Sequence, residues 1–218
     1  MIRSVAIIGA SRGIGLGFAR AYADEDWEVH ATTRSMEKPG GLTRIEGDIR
    51  IHNLEVRDSE QISVLAKEFE DRGIDILIHN AGVYGTGMEY EDVMAINAEA
   101  PFNVISALLP AILRGKMRKI AILTSQAGAR NGGATPSSLY GRSKCALNDR
   151  FQEIEPTWRE CGVTAIVFHP GWVRTDMGGR FAPVSVAKSV AGMRNVIDTL
   201  TPTDSGSFLT WKGKVHPW

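Results

Sequence analysis

The stretch Gly9-Ala10-Ser11-Arg12-Gly13-Ile14-Gly15 directly follows an apolar run over residues 5–8. The run predicts a buried β-strand, and the pattern after the loop predicts a helix over residues 15–24. Glycines permit positive φ and let a backbone approach a ligand closely. A strand, a glycine-rich loop and a helix in this order predict the first unit of a parallel α/β sheet.

The rest of the chain repeats this alternation. Further strands are predicted at 29–32, 51–56, 74–78, 119–124, 163–168 and 207–211, and helices at 59–72, 91–113 and 143–160. Several runs are apolar at nearly every position, as expected for strands covered by helices on both faces. Pro101 and Pro156 fall inside helical patterns and leave those bounds open. The expected fold is α/β, a doubly wound, parallel, seven-stranded Rossmann-type sheet in a single domain.

Composition limits the kinds of partner. The 218 residues carry 25 basic and 25 acidic side chains, a formal net charge of +0, which argues against nucleic acid and anionic membranes as partners. No apolar run approaches the roughly 18 residues of a membrane-spanning helix, and no secretory signal pattern is present. The two cysteines, Cys145 and Cys161, indicate free thiols in a reducing compartment. A cytoplasmic location is therefore expected.

The glycine loop predicts a phosphate site. Free N–H groups at the start of the following helix attract a pyrophosphate, although a purely structural tight turn is the alternative. Arg34 stands where the second strand ends, a position at which an acid favours NAD(H) and an arginine favours NADP(H). Arg12 offers a second guanidinium. NADP(H) is thus preferred over NAD(H), unless both arginines are merely solvated.

A tyrosine and a lysine stand four residues apart, at Tyr140 and Lys144. On a helix they share one face, and a lysine cation is expected to lower the pKa of a neighbouring phenol. Such a tyrosine exchanges a proton with a carbonyl or an alcohol. Ser125 follows the fifth strand at the carboxyl edge of the sheet, where its hydroxyl is expected to bond the substrate oxygen.

The sequence lacks the motifs of a serine hydrolase and of a metal site. Ser125 is not in a G-x-S-x-G elbow, which argues against a serine hydrolase. The five histidines show no metal-ligand spacing, so no metal is expected.

Together these motifs resemble the short-chain dehydrogenase/reductase family in its single-domain branch, most nearly its sniffer-type carbonyl reductases and C-factor proteins. The resemblance implies a catalytic tetrad of Asn97, Ser125, Tyr140 and Lys144. It also implies that Asn80-Ala81-Gly82 flanks the ribose and that the stretch from Pro170 to Thr175 receives the nicotinamide. With the glycine loop and Arg34, the expected cofactor contacts are Gly9, Ser11, Arg12, Gly13, Ile14, Gly15, Arg34, Glu55, Val56, Asn80, Ala81, Gly82, Tyr140, Lys144, Pro170, Gly171, Val173 and Thr175.

Two positions and one spacing depart from the family pattern. Glu55 stands where the family often has Asp, which puts its side-chain contact with adenine in question, and His79 replaces a frequent Asn. The spacing from Ser125 to Tyr140 implies a slightly longer loop near residues 134–138.

An apolar covering segment is expected at 176–187, with Met177 and Phe181 as lid or core residues.

The implied activity is NADPH-dependent reduction of aldehydes or ketones to alcohols, in the reversible reaction of a carbonyl reductase. Its partner is a small-molecule carbonyl or alcohol, and relatives commonly associate through two long helices, which makes a homodimer the expected assembly. Two alternatives stay open: a nucleotide-binding signalling or sensor protein with little turnover, and a methyltransferase built on a similar sheet.

Overall fold

The first strand, β1 (Ser4–Ile8), has all five side chains buried, because helices cover the sheet on both faces. Val5 and Ile7 contribute to the core on one face, and Ala6 and Ile8 to the core on the other. The structure is a computed structural model that describes residues 2–130 and 136–218. The expected long loop over 134–138 therefore lies partly outside the described residues.

Strands and helices alternate along the chain. The remaining strands are β2 (Glu28–Thr33), β3 (Ile49–Asn53), β4 (Ile76–His79), β5 (Lys119–Leu123), β6 (Thr164–His169) and β7 (Phe208–Thr210). The α-helices are α1 (Gly13–Ala23), α2 (Ser59–Lys67), α3 (Tyr90–Met94), α4 (Ala100–Arg114), α5 (Leu139–Glu160) and α6 (Val186–Thr199). A π-helical segment, Ala95–Glu99, joins α3 to α4, and short 3₁₀ turns occupy Gly40–Arg44, Gln126–Gly128 and Pro202–Asp204.

All seven strands form one sheet in the order β3-β2-β1-β4-β5-β6-β7, and every neighbouring pair is parallel. The prediction of a doubly wound, seven-stranded Rossmann-type sheet is confirmed. The direction of strand succession reverses between β1 and β4. In sheets of this kind a crevice opens at that reversal, outside the carboxyl ends of the strands.

Two apolar cores hold the layers together. Phe18 and Tyr22 of α1 pack with Met193 and Ile197 of α6 on one face of the sheet. On the other face, α2, α4 and α5 contribute Leu65, Phe102, Leu108, Leu147 and Phe151, and Phe69 packs with them from just beyond the end of α2. The carboxyl edge of the sheet is thereby fixed in position by helices on both sides.

Helix α6 was not predicted from the sequence. Its first residues, Val186 and Ala187, fall at the end of the expected covering segment 176–187, which is therefore shorter than expected. A signal was present, because Ser185 caps the helix by accepting the Lys188 N–H. Val190, Met193 and Ile197 then follow at helical spacing and are buried.

The predicted helix over 91–113 is three consecutive helical segments, α3, the π-helix and α4. Pro101, which has no N–H, lies in the first turn of α4, directly after the π-helix. Residues Tyr90–Arg114 together are long and apolar enough to cross a membrane by length and composition alone, and 61% of their apolar window is buried in the protein. The expectation that no stretch reaches that length is wrong by this measure, and core packing accounts for the apolar composition.

Candidate active site

The glycine loop follows β1 and leads into α1. Gly9 and Gly13 have φ values of +83° and +58°, which favour glycine. A Cβ atom on Gly9 would lie 2.8 Å from the Cα atom of Ala81, and one on Gly15 would lie 2.2 Å from the Gly9 carbonyl oxygen. Asn80 Nδ2 donates to that same carbonyl oxygen at 2.6 Å. Gly9 and Gly15 therefore allow the loop to pack directly on the segment that follows β4.

A cleft of about 330 Å³ opens beside this loop at the carboxyl edge of the sheet. Most of the expected cofactor residues line it: Gly9, Ser11, Arg12, Gly13, Ile14, Arg34, Glu55, Val56, Asn80, Ala81, Gly82, Tyr140, Lys144, Pro170 and Thr175. In the described part of the chain, Gly15, Gly171 and Val173 are not among the lining residues. For Gly15 the structure shows a packing role, and for Val173 a bridge to Val184.

Several residues that line the cleft were not predicted from the sequence. Lys38 adds a cation near Arg34, and Thr33 and Ser35 border the same end of the cleft. The available signal for Lys38 was a cation four residues beyond Arg34, where only the next two positions were considered. Asp176 lines the cleft as well, and its side chain accepts a hydrogen bond from Arg12 at 2.8 Å. Nothing in the local sequence pattern indicates that pair, which joins residues far apart in the chain.

Glu55 also lies at this end of the cleft. Its carboxylate accepts from the backbone N–H and the side chain of Arg57, at 3.3 Å and 3.4 Å. Its backbone N–H donates to Gln61 Oε1 at 2.8 Å. The side chain is therefore engaged with Arg57, while Val56 lies beside it on the cleft wall.

Tyr140 is the second residue of α5, and Ser138 caps that helix by accepting the Gly141 N–H at 3.0 Å. Lys144 lies one turn further on, and its Nζ donates to the Leu123 carbonyl oxygen at 2.9 Å. Burial lowers the pKa of Lys144 to about 8. The cap and this hydrogen bond fix both side chains at the end of β5.

The electrostatics of Tyr140 differ from expectation. Burial raises the pKa of Tyr140, a hydrogen bond with the Ser125 side chain lowers it by less, and the nearby Tyr84 raises it further. The net shift of this pKa is upward, so the expected lowering is wrong. The physical reason is that desolvation of the buried phenol outweighs the lowering by its hydrogen bond with Ser125.

Asn97 lies in the π-helix and is fully buried. Its side chain donates to the Val83 carbonyl oxygen and to Ser143 Oγ, at 2.8 Å and 2.9 Å, and accepts the Val83 N–H at 2.8 Å. The Asn97 side chain thus links the loop after β4 to Ser143 of α5, the residue directly before Lys144. π-Helical turns are frequent at functional sites because they displace a residue from regular helix geometry.

His79 ends β4 and is 1% exposed. Its Nε2 atom has no hydrogen-bond partner among the described residues. Burial lowers the pKa of His79 to about 3, and the charge of Lys144 acts in the same direction. The imidazole is therefore neutral at physiological pH.

The segment after β6 forms the opposite wall of the cleft. Thr175 Oγ1 donates to the Val173 carbonyl oxygen at 3.4 Å and accepts the Gly178 N–H at 3.1 Å. Ser189 of α6 donates to the Pro170 carbonyl oxygen at 2.6 Å. Met177 lines the cleft, whereas Phe181 is 78% exposed and belongs to no described core. Hydrogen bonds to α6 and within the turn thus hold this wall.

The residues present fit an anionic dinucleotide. No described side chain caps the N-terminus of α1, and its first turn holds no acidic residue. Its N–H groups therefore remain suited to a pyrophosphate. Arg12, Arg34 and Lys38 add three cations to the same cleft.

Sequence comparison identifies relatives. A model of the short-chain dehydrogenase family matches residues 3–183. The C-signal protein of Myxococcus xanthus is 40% identical over 157 residues, which cover 66% of this chain and 93% of that protein. The match to the family model includes the glycine loop, the tyrosine–lysine pair and the wall that follows β6.

Structure comparison extends this likeness over the full length. The NADPH-bound carbonyl reductase from chicken fatty liver has a TM-score of 0.88 and 32% identity, and the match covers 100% of this chain and 99% of that one. The carbonyl reductase Sniffer of D. melanogaster has a TM-score of 0.90 and 26% identity, and the match covers 100% of both chains. The likeness therefore includes the final segment, with α6 and β7, which lies beyond the residues matched by the family model.

Proposed function

Because the chain belongs to the short-chain dehydrogenase family, we propose that it reduces aldehydes or ketones to alcohols with NADPH. The observation that carries this proposal is the convergence of Ser125, Tyr140 and Lys144 at the carboxyl end of β5. A hydroxyl and a phenol that share a hydrogen bond, with the phenol on the wall of the cleft, suit a carbonyl oxygen that gains negative charge. The carbonyl reductases among the similar structures support the same class of reaction.

Tyr140 acts as the general acid in this proposal. When it is bound, the reduced nicotinamide supplies the hydride to the carbonyl carbon. The raised pKa of Tyr140 keeps the phenol protonated at neutral pH, so that it can donate its proton to the carbonyl oxygen. Ser125 donates a second hydrogen bond to that oxygen, and solvent returns the proton to Tyr140 after the alcohol leaves.

The remaining tetrad residues hold this arrangement. The Lys144 ammonium, fixed by the Leu123 carbonyl, supplies positive charge one turn from the phenol and binds the ribose hydroxyls. Asn97 fixes the π-helix against Ser143, directly before Lys144. The position of Lys144 therefore depends on both contacts.

We assign the cofactor preference to three cations. Arg34 and Lys38 follow β2, where a 2′-phosphate is recognised in this type of sheet, and Arg12 belongs to the glycine loop. Guanidinium groups match phosphate geometry with two parallel donors. The expected preference is NADPH over NADH.

The test is turnover of Tyr140→Phe, followed by NADPH absorbance with a panel of small aldehydes and ketones. Loss of a general acid is expected to reduce kcat by about 100- to 10,000-fold, with NADPH binding retained. Tyr90→Phe is the matched control, since Tyr90 lies at the start of α3 and is 44% exposed. Turnover by Tyr140→Phe equal to that of the unmodified protein would refute the assignment.

A nucleotide-binding protein with little turnover is the second candidate, favoured by the identity shared with the C-signal protein. Steady-state kinetics separate the two. NADPH binding without consumption of any carbonyl in the panel would support the second candidate over the first.

A further inference from the structure

Arg12 of the glycine loop pairs with Asp176 across the cleft. The Arg12 Nη1 and Asp176 Oδ2 atoms are 2.8 Å apart, and the two side chains are 71% and 75% exposed. The loops that carry them lie close together, since a Cβ atom on Gly13 would be 3.4 Å from Thr175 Cγ2. Both residues line the cleft. The ion pair therefore joins the wall expected to hold phosphate to the wall expected to hold nicotinamide.

This pair affects what Arg12 can offer to an anion. A guanidinium beside a carboxylate has its charge partly neutralised, and one of its donors is already used. Arg12 cannot give its full charge and its parallel donors to a phosphate while it keeps this geometry with Asp176. A 2′-phosphate and the Asp176 carboxylate are thus competitors for one cation.

The surroundings make exchange between the two anions feasible. Arg12 and Asp176 also line a second cavity, together with Arg20 and Arg174. If Arg12 turns to a phosphate, the Asp176 carboxylate stays exposed to water. Because solvent also screens the exposed pair, breaking it costs little.

We infer that Asp176 helps to determine the cofactor specificity. Its carboxylate competes with the 2′-phosphate for Arg12 and thereby weakens the preference for NADPH. This inference rests on the proposed function. NADH lacks the 2′-phosphate, so its binding does not depend on releasing Arg12. The carboxylate therefore narrows the difference in affinity between the two cofactors.

The test measures the Kd of NADPH and of NADH separately, by quenching of tryptophan fluorescence in the full chain without substrate. Asp176→Asn keeps the shape of the side chain and removes its charge. We expect its Kd for NADPH to fall by about two- to fivefold, the range for an exposed ion pair, while its Kd for NADH stays unchanged. High salt should reduce the gain, because salt screens exposed charges.

Two further variants isolate the pair. Arg12→Gln should weaken NADPH binding, and Asp176→Asn added to Arg12→Gln should leave the NADPH Kd unchanged, since the competition has been removed. Asp71→Asn is the control for net charge, because Asp71 is exposed near the opposite edge of the sheet, shortly before β4. It should alter neither Kd.

The outcomes separate this inference from the proposed function. An equal gain for NADPH and NADH in Asp176→Asn would overturn the inference, because the carboxylate would then oppose the pyrophosphate that both cofactors share. An unchanged or higher Kd for NADPH would overturn it as well. Failure of the unmodified protein to bind either cofactor would overturn the proposed function together with the inference.

Discussion

At the scale of single residues, Tyr84 covers the proposed general acid. Its ring stacks on that of Tyr140, with ring centroids 5.2 Å apart and an angle of 27° between the planes. Tyr84 is 56% exposed, so one part of its ring contacts Tyr140 and the rest contacts solvent. The burial that raises the pKa of Tyr140 thus depends partly on a second aromatic ring.

Removing that ring should change the titration of Tyr140. We expect Tyr84→Ala to lower the pKa of Tyr140 toward its ordinary value, because water then solvates the phenolate. Ultraviolet absorbance of tyrosinate against pH measures this, with the same variant carrying Tyr140→Phe subtracted to isolate one phenol. Tyr84→Phe keeps the ring and is the control, for which most of the raised pKa should remain. An equal pKa in the unmodified protein and Tyr84→Ala would contradict the assignment.

The sequence allowed the tyrosine–lysine pair to be predicted, but not the environment of its phenol. The four-residue spacing of Tyr140 and Lys144 determines that they share a helix face, and this is a local property of the chain. The stacking of Tyr84 depends on how the loop after β4 packs, which involves residues distant in sequence. For the same reason the pairing of Arg12 with Asp176 could not be predicted.

At the scale of elements, the π-helix determines where Asn97 lies. Three hydrogen bonds connect the Asn97 side chain to Val83 and Ser143, and none of these groups is exposed. The π-helix, the loop after β4 and α5 are therefore joined through one amide. Loss of that amide leaves buried donors and acceptors without partners.

We expect Asn97→Ala to reduce the free energy of unfolding by about 1–3 kcal/mol, the cost of unsatisfied buried polar groups. Urea denaturation followed by circular dichroism measures it. Asn103→Ala is the matched control, because Asn103 is exposed on α4, and surface substitutions usually change stability by less than about 0.5 kcal/mol. Equal stability of the two variants would show that the amide contributes nothing to holding the π-helix.

The strands and helices differed in how well their bounds could be predicted from the pattern of apolar residues. Strand β5, apolar after Lys119, was expected at 119–124 and lies at Lys119–Leu123. Strand β3 was expected at 51–56 and lies at Ile49–Asn53, because Leu54 and Val56 are buried beyond the strand end and extend its apolar pattern. Helix α6 was missed since its apolar residues were assigned to a covering segment.

At the scale of the whole molecule, buried neutral histidines make stability depend on pH. Burial lowers the pKa of His79 and of His30 to about 3, and both side chains are at most 3% exposed. In the unfolded chain a histidine takes up a proton near its ordinary pKa of 6.5. As the pH falls below that value, the unfolded chain gains protons first, so the folded state loses relative stability.

We predict that His79→Asn makes the protein less sensitive to acid. Between pH of about 7.5 and 5, His79 alone should account for about 2 kcal/mol of lost stability, given about 1.4 kcal/mol per pH unit below its ordinary pKa. Urea denaturation at both pH values, for the unmodified protein and the variant, measures the difference. Because the comparison is between pH values, a general effect of the substitution on stability cancels. An unchanged loss between the two pH values would show that His79 is already charged in the folded state.

Strand β3 is an edge strand of the sheet. Its composition affects how readily the protein aggregates at high concentration. Unpaired backbone groups on such an edge invite strand addition by a second copy, the first step toward aggregates. Arg50 is the second residue of this strand, and its side chain is 42% exposed and pairs with Glu28 at 2.8 Å. A charge held there discourages another strand from docking, and so keeps the open border of the sheet from acting as a template.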